Sequence, residues 1–230
     1  NAEVAKTLPI MDVILVQNMF SHSRFVDQFL DDTKIVMDEN SILFIQTSQK
    51  NMILNGELDF FYHEHISCFN SNSMKTLVER HGMILNKVHE VSIHGTSYIF
   101  EVRLKSTEDS NLLRIMEEEK KIGLYSLGLY EYFNINAERS LRNLRMEVDK
   151  YQKNQYKVIG FGAAAKAMTA LCYGNIDLDY IIDENPLKIG LYSPKMNISI
   201  VDINFFKNDP NENFLVVALA WNFSPEILRK

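Results

Sequence analysis

Val158-Ile159-Gly160-Phe161-Gly162-Ala163-Ala164-Ala165-Lys166 passes from an apolar run through two glycines into a row of helix formers. It reads as a strand over 156–160, a sharp turn and a helix over 163–173. Glycine lets the backbone turn tightly and approach a ligand, and exposed amides at a helix N-terminus favour a phosphate. Ala165 is small enough for close helix–strand packing. The next strand, 180–183, ends on Asp183, about twenty residues on, where a dinucleotide fold puts its ribose-binding acid. Lys166 offers a point charge to a diphosphate, so the turn fits sugar nucleotides as well as NAD. A tight turn without ligand is the plain alternative.

Residues 214–218 form a further buried strand, and the same β-α-β pattern recurs near the N-terminus. Residues 12–16 and 42–45 are apolar runs of the kind that make buried parallel strands. Between them Phe25, Val26, Phe29 and Leu30 recur at helical spacing. Ser73 is the expected cap of a helix that stops at Gly82. Residues 83–91 and 97–104 then predict two strands joined through His94-Gly95-Thr96, an antiparallel edge on an otherwise parallel sheet. From 108 to 151 the pattern is helical, with Leu141, Leu144, Val148 and Tyr151 on one face and breaks expected at Gly123 and Gly128. The apolar, tyrosine-rich stretch 124–133 is expected to be core. The fold class is α/β. The expected division is residues 1–106, a helical connector over 107–155, and a second α/β domain over 156–230.

The chain has 230 residues, 46% hydrophobic and 23% charged, which suits one large α/β domain or two small ones. A formal charge of −6 without a basic block gives no reason to expect nucleic acid or an anionic membrane as partner. No apolar run approaches the roughly 20 residues that span a bilayer. Cys68 and Cys172 are isolated, so neither a zinc knuckle nor a disulfide framework follows, and a cytoplasmic setting is the default. The chain opens on Asn1, and Ser224-Pro225-Glu226 starts a helix only to be cut at Lys230, so the sequence reads as a piece of a longer protein.

The most chemically loaded stretch is Phe60-Phe61-Tyr62-His63-Glu64-His65, just beyond the strand at 42–45. Open α/β sheets place their sites beyond strand carboxyl ends. A histidine tuned by a neighbouring carboxylate is a natural general base, and a tyrosine hydroxyl can polarise a carbonyl or enolate oxygen. His63 and His65 could instead hold a metal, although the spacing matches no strong ligand pattern; no metal is expected. Merely hydrogen-bonded groups are the plain reading. Asn18 and His22 follow the strand at 12–16 and would share a helical face four residues apart. Two polar clusters after consecutive parallel strands would converge on one crevice. His81 and His89 are expected to be structural or solvated, and His94 stays open.

In this order the segments resemble the SAM-dependent sugar C-methyltransferases of deoxysugar biosynthesis. The resemblance runs through Asn18, His22, Tyr62-His63-Glu64-His65 and Ile93-His94-Gly95-Thr96-Ser97. It continues through Gly160-Phe161-Gly162-Ala163-Ala164-Ala165-Lys166, Asp183-Glu184-Asn185-Pro186-Leu187-Lys188-Ile189-Gly190 and Ala220-Trp221-Asn222-Phe223. It implies the C-terminal half of a Rossmann-type methyltransferase sheet followed by a second Rossmann-like α/β domain. The family's N-terminal zinc domain and the glycine loop for S-adenosyl-L-methionine (SAM) are missing from this sequence, which is expected to be inactive alone. His94-Gly95-Thr96-Ser97 stands where the family carries His-Gly-Gly-Ser.

The resemblance also implies a reaction and its residues. A nucleotide-linked 4-keto sugar loses the proton beside its carbonyl, and the enolate takes the SAM methyl group. His65 would be the base and Glu64 its tuner, with Tyr62, His22 and Asn18 holding the sugar and its keto oxygen. Gly160, Gly162, Ala163, Ala164, Lys166, Asn185 and Lys188 would receive the nucleotide diphosphate. Two rivals stand beside this reading. A nicotinamide-dependent oxidoreductase would use the turn at 160–165 with Asp183, and a non-catalytic module would only bind the nucleotide sugar.

Overall fold

The computed structural model describes residues 2–48, 50–91, 97–210 and 213–221. His94, the turn around it and the helix start at 224–226 lie outside these residues. The chain forms two compact units, one of 1–55 with 63–131 and the other of 56–62 with 132–230.

In the first unit a short helix α1 (Ala2–Ala5) precedes β1 (Val13–Gln17), α2 (Val26–Ile35), β2 (Ile42–Ser48) and α3 (Lys50–Asn55). After the excursion through 56–62 come α4 (Ser71–Arg80), β3 (Ile84–Val91), β4 (Ser97–Arg103) and α5 (Leu112–Lys121). The sheet order is β1-β2-β4-β3. β1 and β2 are parallel, as a crossover through α2 requires, and β4 runs antiparallel to both β2 and β3. Leu43, Ile45, Tyr98, Phe100 and Val102 alternate onto one face and pack with Phe20, Leu30, Met74 and Val78. On the opposite face Gln46 and Glu101 are buried, and the β1 edge is exposed. Leu15 is 65% exposed, and it lines a cavity of about 380 Å³ with Phe44, Gln46, His89 and Ile99.

Several expectations change here. The strands at 12–16 and 214–218, expected to be buried, are edge strands of their sheets, with Val13, Leu15 and Val216 47–65% exposed. Asn70, not Ser73, caps α4: its Oδ1 accepts from Ser73 N at 2.8 Å, and Ser73 Oγ accepts from Asn70 N at 3.0 Å. The two residues form a reciprocal box, with Ser73 already in the helix. The stretch 124–133 is amphipathic rather than core. Leu124 and Phe133 are buried, while Leu127 and Tyr132 face solvent.

Gly123, with φ +83, ends the break after α5, whereas Gly128 sits inside α6 (Leu127–Lys153). The first turn of a helix tolerates glycine where an interior one would suffer. In the second unit follow β5 (Lys157–Phe161), α7 (Ala165–Gly174), β6 (Tyr180–Ile182), β7 (Ile200–Val201), α8 (Ile203–Lys207) and β8 (Phe214–Ala218). The sheet is all parallel in the order β7-β6-β5-β8. The chain steps from β5 to β6 and β7 on one side, and only β8 returns to the other. That reversal places a crevice beyond the carboxyl ends of β5 and β8, where open α/β sheets receive ligands. Val158, Ile181, Leu171, Ile176 and Val148 form the core beneath it.

Candidate active site

In the first unit the site begins where β1 ends. Asn18 takes φ +50, a left-handed conformation that asparagine tolerates better than most residues. The chain then makes one 3-10 turn, Phe20–His22, closed by His22 N donating to Met19 O at 2.9 Å. Phe20 pins the turn in the core, its ring 5.7 Å from Phe29 and 5.3 Å from Phe69. Ser21 O accepts from both Ile66 N and Ser67 N, at 2.9 and 3.2 Å. Those two bonds draw the 63–70 segment onto the turn and leave the His22 and His65 rings 4.9 Å apart, edge to face at 65°. Both rings are half-buried.

The other end of that segment is anchored by a buried charge. Glu119, with no exposed surface, accepts from Ser71 N at 3.1 Å, Ser71 Oγ at 2.9 Å and Tyr125 OH at 2.5 Å. A carboxylate at a helix N-terminus also meets the positive end of its dipole. Burial first, then the hydrogen bond to Glu119, pushes the Tyr125 hydroxyl up, so it stays a donor. His65 is therefore carried on a segment fixed at both ends.

The remaining expected residues divide. Asn18 sits exposed at the same turn. Glu64 sends its carboxylate to within 3.9 Å of His63 Nε2, both side chains largely in solvent. Tyr62 belongs to the second unit. Among the described residues no three His, Cys, Asp or Glu side chains gather as a metal site. His81 is structural: Nδ1 meets Asp31 at 2.6 Å and Nε2 meets Asp27 at 2.9 Å, clamping α4 to α2. Those bonds, with Asp31 leading, raise its pKa above the ordinary histidine value.

In the second unit the glycine turn is packed against protein. A Cβ at Gly160 would lie 2.5 Å from Leu219 Cδ1 and 3.1 Å from Leu178 Cδ1. At Gly162, with φ +95, it would lie 2.9 Å from the Ala220 Cβ. Both glycines are required by the close approach of the β5 and β8 ends. Asp183 holds the turn: Oδ2 accepts from Ala163 N at 2.7 Å and Oδ1 from Asn185 N at 2.8 Å. Lys188 Nζ donates to Ala163 O at 2.8 Å and lies 3.4 Å from Asp183 Oδ2. Asn185 Oδ1 accepts from Leu187 N at 3.0 Å. An acid engaged in this way braces the loop instead of reaching for a ribose.

Ala164, Ala165 and Lys166 then open α7, whose N-cap Ala164 supplies no side-chain acceptor. The Lys166 ammonium lies 4.4 Å from the centre of the Phe60 ring and 5.5 Å from that of Trp221. Trp221 Nε1 donates to Asp59 Oδ2 at 2.7 Å. Each such cation–ring contact contributes about 0.5–2 kcal/mol, depending on desolvation. Sequence reading quoted Trp221 without a role and passed over Asp59. The aromatic run beginning at Phe60, next to the loaded Tyr62 stretch, was the one local hint.

A family profile described as C-methyltransferase C-terminal domain matches residues 92–230, more than half of the chain. The chain belongs to that C-methyltransferase family. It is also 24% identical over 233 residues to the C-methyltransferase NovU of Streptomyces niveus, a match covering 98% of this chain and 55% of NovU. The chain thus spans about half the length of that relative. C-methyltransferase chemistry generally draws its methyl group from SAM, yet the described residues do not fit that cofactor as a glycine-loop cradle. The turn that follows β1 carries no glycine, and the glycines at 160 and 162 are filled by Leu219, Leu178 and Ala220. Among the described residues no helix is long and apolar enough to cross a membrane.

Proposed function

We propose that this chain is the substrate-side part of a cytoplasmic, SAM-dependent C-methyltransferase acting on a nucleotide-linked keto-deoxysugar. Family membership supports methyl transfer to carbon, and the paired imidazoles of His22 and His65, 4.9 Å apart beyond parallel strands, carry the reading of how carbon is activated.

His65 takes the proton from the carbon beside the sugar carbonyl. His22 and Asn18, on the turn after β1, and Tyr62 donate to the keto oxygen as negative charge develops there. Glu64 adds negative potential near the base and favours its protonated form once the proton has moved. Gly160, Gly162, Ala163 and Ala164 shape the turn, and Lys166, Asn185 and Lys188 surround the mouth that receives the nucleotide diphosphate. SAM would supply the methyl group, and this chain by itself would bind the nucleotide without transferring methyl.

The test is proton exchange, which needs no methyl donor. A dTDP-linked 4-keto-6-deoxysugar is held in D₂O with the whole protein that contains this chain, and loss of the proton beside the carbonyl is followed by NMR. Exchange that vanishes in His65→Ala supports the assignment. Exchange that survives unchanged in His65→Ala refutes it.

A further inference from the structure

Lys166 is badly placed by the ordinary rules of helices. It occupies the first turn of α7, where the helix dipole repels a cation, and its long stem samples many rotamers. Of the helix positions three and four residues on, Thr169 donates its hydroxyl to Ala165 O and Ala170 has no polar group. What holds the ammonium comes from elsewhere in the second unit. The Phe60 and Trp221 rings both lie within the roughly 6 Å at which a ring face attracts a cation.

Those rings are themselves fixed. Phe60 is buried and ends the 3-10 turn Leu58–Phe60, in which Phe60 N donates to Glu57 O at 3.1 Å. Phe61 packs edge-on against Phe133, with ring centres 5.5 Å apart. Trp221, 41% exposed, has its indole anchored by Asp59 from the same turn. Asp59 thus holds the indole, and the next residue, Phe60, supplies the second ring beside the same ammonium. A ring face, unlike a carboxylate, brings no formal negative charge, so the ammonium keeps its net positive charge for an incoming anion.

We propose that Asp59, Phe60 and Trp221 are positioning residues that hold the Lys166 ammonium at the mouth of α7 for the diphosphate of the substrate. This rests on the reading that Lys166 meets that diphosphate, and it adds the 56–62 segment to the nucleotide seat of the second unit.

The experiment is calorimetric titration of the 230-residue chain with dTDP, alongside thermal unfolding of each variant. Lys166→Met weakens binding about 10-fold or more, and Lys166→Arg restores part of it. Asp59→Asn and Trp221→Leu each weaken binding about 3–10-fold in the native background. In the Lys166→Met background they add nothing, because they act through that ammonium. A merely structural role predicts the same loss in both backgrounds and a lowered unfolding temperature to match. Dissociation constants unchanged in Asp59→Asn and Trp221→Leu, or losses that persist without Lys166, overturn the positioning role alone. An unchanged constant in Lys166→Met, or no dTDP binding by the native chain, overturns the diphosphate reading together with it. Trp221 is the sole tryptophan of the chain, so its fluorescence should shift on dTDP binding in the native chain and not in Lys166→Met.

Discussion

The two units each place a turn after a parallel strand, and they use it in opposite ways. In the second unit the glycine turn after β5 is absorbed by its own fold. Its glycines make room for Leu219 and Ala220, and its acid braces Ala163. In the first unit the turn after β1 has no glycine. It rests on one buried ring, Phe20, and leaves His22 half-buried and Asn18 exposed. The motif more suggestive as a sequence is thus the more occupied as a structure. A glycine pattern reports that a backbone comes close to something; only coordinates tell whether that something is a phosphate or a leucine.

The largest expected effect lies in the first unit. His65→Ala should lower proton exchange, and methyl transfer in the whole protein, by roughly 10²–10⁴, as loss of a general base does. His22→Ala should lose about 3 kcal/mol of transition-state stabilisation, as loss of one oxyanion donor does. That is a roughly 10²-fold drop, at the low end of the range for His65→Ala, so His22→Ala is expected to fall less. Equal rates in the two variants would break the division of roles.

In the second unit the effects should appear in stability. Gly162→Ala meets both a left-handed backbone and the rigid Ala220 Cβ, and should cost about 2–3 kcal/mol by urea unfolding. Gly160→Ala meets leucine methyls that can give a little, and should cost about 1–2 kcal/mol. If Gly162→Ala proves neutral, the turn is not packed tightly against Ala220 and the contrast fails.

Asp183→Asn should cost about 1–2 kcal/mol by leaving the Ala163 amide with a weaker acceptor. It should also loosen dTDP binding less than Lys166→Met does. The reverse order would return Asp183 to the ligand and sharpen the case for a ribose contact.

The smallest effect is a pH dependence confined to the first unit. The folded pKa of His81 is raised by Asp31 first and then Asp27, against the opposing effect of burial. The protonated clamp therefore contributes its full stability below the unfolded histidine pKa of about 6.5. That contribution fades as pH rises through the higher folded value. Comparing unfolding of the native chain and His81→Gln at pH 6 and pH 9 should show a gap of about 1 kcal/mol that closes at the alkaline end. A constant gap would mean that the clamp works without charge.

Much of the fold could be read from residue order, because periodicity carries it. The parallel strands, α2, the β3–β4 pair and the β5–α7–β6 unit fall within a few residues of expectation. What escaped was short or set from afar. β7 has only two residues and α8 five, too few to establish a period. The Asn70–Ser73 box moved a helix start by a turn's fraction, since either residue can cap. The site was legible in the same uneven way. His22 and His65 meet because Ser21 O binds Ile66 N and Ser67 N, a backbone event with no side-chain signature. The Asp59–Trp221 bond joins positions 162 residues apart, and nothing local announces it.

The contact between Gly162 and Ala220 has a bearing on descent. Two positions on separate loops share a space that holds one methyl group, so neither can drift independently. Among homologues a larger residue at 220 should arise only where the β8 end has moved away, and the two loops should be inherited as a matched set. Grafting either loop alone from a distant relative would bring a collision with it.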